Sequence, residues 1–149
     1  MSQPTYTIGQ IADKFNLSIS TLRYYDKEGL FPNIKRQSGI RRFSKNEIET
    51  LRLIECLKAS GLEIKDIKQF IDWTLKGPST YEQRKQLFET RKKIIEKEME
   101  RLQKIHNVLE FKCWYYDTAI KDGNEDRLQQ MLPDGLPITI QELYNKGHK

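Results

Sequence analysis

The chain has 149 residues, with 26 Lys and Arg against 21 Asp and Glu for a net charge of +5, and 37% hydrophobic residues; this fits one soluble domain carrying an extended element and is too small for a two-domain enzyme of ordinary size. A mean hydropathy of −0.74 leaves no apolar run of about 18 residues, and the polar start Met1-Ser2-Gln3-Pro4 lacks the apolar core of a secretory signal, so the sequence reads as cytoplasmic with no membrane partner. Cys56 and Cys113 form no C-x-x-C pair, which argues against a disulfide framework or a self-contained zinc site and leaves two individual thiols.

The charge is unevenly placed. Between Lys14 and Lys45, eight cations (Lys14, Arg23, Lys27, Lys35, Arg36, Arg41, Arg42 and Lys45) face only Asp26 and Glu28. A basic stretch on a near-neutral body suits a polyanion, because cations set on phosphates displace condensed counterions. Charge alone fits an ordinary solvated face equally well, so the order of the residues has to decide.

Thr7 and Gln10 form a capping-box pattern, and Ile8, Ile11, Ala12 and Phe15 follow at helical spacing, which predicts a helix from about Ile8 to Phe15. After Asn16-Leu17, Ser18 caps a second helix with Ile19 and Leu22 inward. Its outward stripe is Ser20, Arg23, Tyr24 and Lys27 at i, i+3, i+4 and i+7, and Gly29 ends it. The unit is helix, tight turn, helix, with the polar, basic and aromatic face on the second member. Pro32 then breaks helix, and Ser38-Gly39 supplies a turn between two short extended runs carrying Lys35, Arg36, Arg41 and Arg42. These read as a two-stranded wing whose cations suit a phosphate backbone beside the groove that a recognition helix occupies.

Three runs in order, Tyr6-Thr7-Ile8-Gly9-Gln10-Ile11-Ala12, Thr21-Leu22-Arg23-Tyr24-Tyr25-Asp26-Lys27-Glu28-Gly29-Leu30 and Gly39-Ile40-Arg41-Arg42-Phe43-Ser44, resemble the winged-helix domain of MerR-type transcription regulators. The similarity spans roughly the first half of the chain. It implies a DNA face carrying Ser20, Thr21, Arg23, Tyr24, Tyr25 and Lys27, with Lys35, Arg36, Arg41 and Arg42 on the wing. It also implies a homodimer on double-stranded promoter DNA, with RNA polymerase as a partner at the promoter. Phe43 departs from the pattern, which more often has tyrosine there.

Ser44 and Glu47 form another capping box, and Ile48, Leu51, Ile54 and Leu57 mark the buried face of a helix ending at Ser60-Gly61. A further helix from about Glu63 to Lys76 turns Ile64, Ile67, Phe70, Ile71 and Leu75 inward, until Gly77-Pro78 stops it. Cys56 lies one turn after Arg52. Two readings stand for it: a thiolate favoured by the guanidinium, or a small hydrophobe packed among Leu53, Leu57 and Ser60. The run from Gly39 to Cys56 resembles the AdhR-like, aldehyde- and electrophile-responsive branch of the MerR family, which implies an effector or redox role for this cysteine.

From Ser79-Thr80-Tyr81-Glu82 no Gly or Pro intervenes until Gly123, which predicts a helix of some forty residues, about 60 Å long. Phe88, Ile95, Leu102, Leu109 and Tyr116 recur every seven positions, the pattern of pairing with the same helix of a second copy. A parallel zipper and a short antiparallel pairing both satisfy the spacing; the family resemblance implies the antiparallel one. Phe111, Trp114, Tyr115 and Tyr116 are candidates for a ligand pocket, or pack the ends of the paired helices. His106 and Cys113 are too few for a metal site, and no metal or other cofactor is expected. A polar stretch from Asp122 leads to a last amphipathic piece, Ile138 to Tyr144, too short for a separate effector-binding domain.

The expected fold is mainly α: a winged helix-turn-helix domain with a linking helix pair over residues 1–76, a long dimerisation helix over 77–121 and a tail over 122–149. The expected function is a dimeric, sequence-specific transcription regulator at inverted-repeat operators, switched by a small-molecule or thiol-reactive stress signal. A coiled-coil adaptor without DNA binding and a ligand-sensing regulator independent of Cys56 are the alternatives. An enzyme is not expected, because no nucleophile-base set or phosphate-cradling loop is visible.

Overall fold

The computed structural model describes residues 3–148; Met1, Ser2 and Lys149, and with them half of the polar start, lie outside the described residues. Seven helices and one two-stranded sheet follow in order: α1 (Ile8–Phe15), α2 (Ile19–Lys27), β1 (Lys35–Gln37), β2 (Ile40–Arg42), α3 (Lys45–Ala59), α4 (Ile64–Lys76), α5 (Tyr81–Asp122), α6 (Asp126–Met131) and α7 (Ile138–His148). The chain is mainly α, with a winged helix-turn-helix at its start and a 42-residue helix behind it. Two compact units divide at Lys92 and Lys93, within α5.

Local chemistry accounts for the element ends. Thr7 accepts from the Gln10 amide while the Gln10 side chain accepts from the Thr7 amide, closing both orphan donors at the start of α1. Ser18 accepts from the Thr21 amide at 3.1 Å to start α2. At α3 the Glu47 carboxylate accepts from both the amide and the hydroxyl of Ser44, so Glu47 is buried with its oxygens partnered. The wing turn places Ser38 and Gly39 at φ 52° and 78°, the pair of positive values that a two-residue hairpin needs to match strand twist. Antiparallel pairing then sets Lys35 opposite Arg42 and Arg36 opposite Arg41. Tyr6 adds a further bridge to Phe43 at the wing base, through two backbone hydrogen bonds of 2.9 Å.

One core serves the head. Ile11, Leu22, Tyr25, Leu30, Phe31, Phe43, Leu51, Ile54, Leu57 and Ile67 are its most buried side chains. Phe31 and Phe43 meet edge to face, with ring centroids 5.5 Å apart. Two expected inward residues stay out: Ile19 is 39% and Leu75 55% exposed. Each sits at an end turn of its helix, where the facing element no longer covers the stripe.

The α4–α5 joint is held by polar contacts. Gly77 and a short 3-10 turn, Pro78–Thr80, separate the two helices. The Thr80 hydroxyl, in a residue 4% exposed, lies within hydrogen-bond distance of the Trp73 and Gly77 carbonyls. Arg84 donates to the Thr80 hydroxyl at 3.0 Å and to the same two carbonyls at 3.0 and 2.9 Å, so a guanidinium closes the carbonyl end of α4. Its face also lies 4.9 Å from the Tyr81 ring centre.

In the second unit α6 and α7 fold back on the last turns of α5. Phe111, Tyr115, Leu128 and Leu136 form its buried cluster, with Trp114, Met131, Ile140, Leu143 and Tyr144 around them. Neither α6 nor the extension of α7 to His148 is expected from the sequence, whose last amphipathic stretch stops at Tyr144. The extension brings Gly147 against Val108, where an added Cβ would stand 2.9 Å from Cγ2.

Because Arg84 makes charge-assisted bonds and Thr80 neutral ones, Arg84→Met should cost about 2 kcal/mol of unfolding free energy and Thr80→Val about 1 kcal/mol. Urea denaturation of the two variants measures the difference. Equal costs would mean that the guanidinium contributes no more than the hydroxyl.

Candidate nucleic-acid interface

The helix-turn-helix presents one continuous polar face. On α2, Ser20, Arg23, Tyr24 and Lys27 are exposed, Tyr24 at 48%. Neither Arg23 nor Lys27 has an ion-pair partner among the described residues, so both are available to an external anion. Thr21 is half-buried, and its hydroxyl lies 2.7 Å from that of Ser18. The Ser20 hydroxyl is 3.0 Å from the same atom. The cap of α2 is thus a cluster of three hydroxyls at the helix N-terminus, where partial positive charge favours anions.

Tyr25 departs from the expectation. It follows Tyr24 directly, and the helical turn of 100° between them sends it into the core at 1% exposure. Its hydroxyl donates to Glu55 Oε1 at 3.0 Å and accepts from Lys58 Nζ. Burial pushes the phenol pKa up, with the Glu55 bond adding to that and the Lys58 bond opposing it. Tyr25 is therefore a core residue and not part of the outer face. Phe43 is likewise fully buried, so its ring is a packing element and not a phosphate contact.

The wing cations are partly engaged within the protein. Arg41 Nε donates to Asp26 Oδ2 at 2.6 Å, and Arg36 lies 3.6 Å from the same oxygen. The two arginines are cross-strand neighbours, an arrangement that like charges disfavour unless an anion lies between them. Asp26, on α2, supplies that anion and fixes the wing to the helix. Arg36 also donates to the Gly39 carbonyl at 3.3 Å. On the other face of the wing, Arg42 donates to the Thr5 hydroxyl and carbonyl at 3.0 and 3.3 Å. Lys35 is exposed and has no ion-pair partner among the described residues. Read from sequence, Asp26 only reduced the net charge; its position facing two wing arginines needed the hairpin register.

Cys56 is exposed on α3, which excludes the packed alternative. Arg52 pairs with Glu49 at 3.1 Å. The aromatic candidates at the end of α5 differ in burial: Phe111 and Tyr115 are 1% and 4% exposed inside the packed cluster, Trp114 is half-buried and Tyr116 is 54% exposed. Tyr115 donates to Glu125 at 2.7 Å, and that bond raises its pKa. An open groove of about 640 Å³ lies elsewhere, between α4 and the first turns of α5, bordered by Leu62, Gln69, Trp73, Leu87 and Arg91.

The MerR HTH family of regulatory proteins matches residues 6–72, which run from Tyr6, the bridge partner of Phe43, to within α4. Over 116 residues, 77% of the chain, it is 41% identical to an uncharacterized HTH-type transcriptional regulator of Haemophilus influenzae, and it covers 86% of that protein. The chain belongs to the MerR family of DNA-binding transcription regulators. It is also 36% identical over 91 residues to the HTH-type transcriptional regulator AdhR of Bacillus subtilis, a match spanning 60% of this chain and 65% of AdhR. Among solved structures, HiNmlR, a MerR family regulator lacking the sensor domain and crystallised on promoter DNA, is similar with a TM-score of 0.71 and 39% identity, over 83% of this chain and 99% of that one. A MerR family regulator from Bacillus thuringiensis is similar with a TM-score of 0.65, also at 39% identity, over 74% of this chain and 97% of that one. The relatives are regulators of transcription and this MerR-family chain is not an enzyme. Among its described residues no helix is long and apolar enough to cross a membrane.

Asp26 and Arg41 have side chains 13% and 22% exposed, so their bond is shielded enough to matter. Asp26→Ala should lower the unfolding free energy by about 1–3 kcal/mol and speed amide exchange across Lys35–Arg42. Exchange at the wild-type rate in that variant would show that the wing holds its place without the carboxylate.

Proposed function

We propose that two copies of this MerR-family chain pair through α5 and read an inverted-repeat operator in promoter DNA, one α2 helix per half-site. The observation that carries the reading is the exposed stripe of Ser20, Arg23, Tyr24 and Lys27 on a helix locked beside a cationic wing, together with the DNA-bound relative HiNmlR. Arg23 and Tyr24 serve the base edges, while Lys27, Lys35 and the outer faces of Arg36 and Arg42 serve phosphates. In this reading residues 1–76 form the DNA-reading head with its linking helices, 77–121 the dimerisation helix and 122–149 a tail that covers the aromatic end of α5. The partners are double-stranded promoter DNA, a second copy of the chain and, at the promoter, RNA polymerase, all met in the cytoplasm.

Pairing is supported by the heptad stripe itself. Phe88, Ile95, Leu102, Leu109 and Tyr116 are 40%, 38%, 51%, 59% and 54% exposed along α5, with Met99 and Ile105 beside them at 63% and 42%. A row of apolar side chains on an otherwise charged helix is stabilised by burial against another such row. An adaptor lacking DNA binding would use the same stripe but would leave the basic face of the head without a role.

The signal is proposed to be a thiol-reactive stress compound acting at Cys56. What supports this is an accessible sulfur on the helix that carries Glu55 and Lys58, the partners of Tyr25. Addition of an electrophile there adds bulk on the exposed side of α3, at the residue next to Glu55.

Arg23→Ala should weaken operator binding by about 1–3 kcal/mol, roughly 5- to 150-fold, and the wild-type affinity should fall steeply as salt rises. Fluorescence anisotropy over a salt series checks both; a sequence-blind protein, or a monomer by sedimentation equilibrium, defeats the reading. In a promoter–reporter strain, Cys56→Ser should abolish the response to a reactive aldehyde while leaving basal DNA binding intact. A full response in that strain would remove the thiol from the mechanism.

A further inference from the structure

Helix α2 is nine residues long, and only Leu22 and Tyr25 are buried from it. Leu22 packs through contacts without directional preference, which constrain the rotation of a short helix about its axis only loosely. Hydrogen bonds do have direction. The Tyr25 hydroxyl is held by two of them, donating to Glu55 Oε1 at 3.0 Å and accepting from Lys58 Nζ, and the same ammonium lies 5.0 Å from the centre of the tyrosine ring. Both partners stand on α3, one turn apart, and are joined by a 3.9 Å ion pair. A hydroxyl with its acceptor and its donor both on a neighbouring helix restricts the orientation of the ring and, together with the Asp26–Arg41 bond to the wing, that of α2.

The residues that precede Tyr25 are Arg23 and Tyr24, both exposed on the reading face. Productive recognition geometry tolerates errors of only about 0.5 Å and 10–20°, and a long side chain magnifies any rotation of its helix. We infer that Tyr25 is a positioning residue for operator recognition: clasped by Glu55 and Lys58, it sets the rotation of α2 and so aims Arg23 and Tyr24 at the base edges. The inference rests on α2 being the reading element proposed above. Its action is separable from folding, because the Glu55 and Lys58 side chains are 32% and 37% exposed and both reach water when the phenol oxygen is removed. No buried orphan is left behind, so the geometry is lost while the core stays filled by the phenylalanine ring.

The test uses the full-length chain and a duplex selected by the wild-type protein from a random library, with a scrambled duplex of the same length at the same salt as control. Tyr25→Phe should lower the ratio of selected to scrambled affinity by about tenfold while scrambled binding stays within about twofold and the circular dichroism spectrum is unchanged. Lys58→Met, which keeps Tyr25 in place, should lower the ratio similarly, and the double variant should be no worse than the poorer single one, since both act on one clasp. An unchanged ratio in Tyr25→Phe overturns the inference and leaves the regulator reading intact. Equal losses on both duplexes would make Tyr25 a structural residue alone and overturn it as well. Should Tyr25→Phe fail to fold, the ratio for Lys58→Met decides by the same criterion. If the wild-type protein selects no sequence, there is no discrimination to position, and both this inference and the operator reading fall.

Discussion

A nine-residue helix does not hold its own direction in water; isolated helices of that length are marginal even with good helix formers. The head of this protein depends on how that constraint is met at α2. Consecutive residues attach it in two directions. Tyr25 reaches inward to Glu55 and Lys58 on α3, and Asp26 reaches sideways to Arg41, with Arg36 close by, on the wing. The apolar core decides where the helix lies, since Leu22, Leu30, Leu51 and Ile54 are fully enclosed. The polar contacts decide which way its outer face points.

The same contacts divide the basic segment into two kinds of cation. Arg36, Arg41 and Arg42 hold the wing to Asp26, to its own turn and to Thr5, whereas Arg23, Lys27 and Lys35 stand clear. Counting positive charge along the chain therefore overstates how much of it is available to DNA and understates how much is architecture. A wing held in place ahead of binding has less entropy to lose when it meets phosphate, which favours affinity without any further contact.

Away from the head, the chain solves two other problems. The Arg84, Thr80 and Trp73 contacts close the carbonyl end of α4 where it turns into α5, adding satisfied polar groups to the edge-to-face packing of Phe70 on Phe88. At the far end of α5, α6 and α7 bury Phe111 and Tyr115 and leave Leu102, Leu109 and Tyr116 uncovered. The tail thus shields one side of the helix and not the heptad side.

Sequence alone determined the elements of the head. Thr7 with Gln10, Ser18, Ser44 with Glu47, Ser38-Gly39 and Gly77-Pro78 mark starts and turns through local hydrogen bonding and φ preference, which act within four residues and need no tertiary partner. The same holds for Ile48, Leu51, Ile54 and Leu57, whose spacing names the buried side of α3. Tertiary structure decided what spacing leaves open. Adjacent Tyr24 and Tyr25 look alike in sequence, yet one faces solvent and the other α3. Asp26 is a minor charge until the hairpin register brings two arginines to it. Cys56 is exposed because the core takes Leu57 and Ile54 on either side, and α6 is visible only once Leu128 finds Phe111. In each case the deciding contact joins residues far apart along the chain, and no local rule of periodicity or capping carries that information.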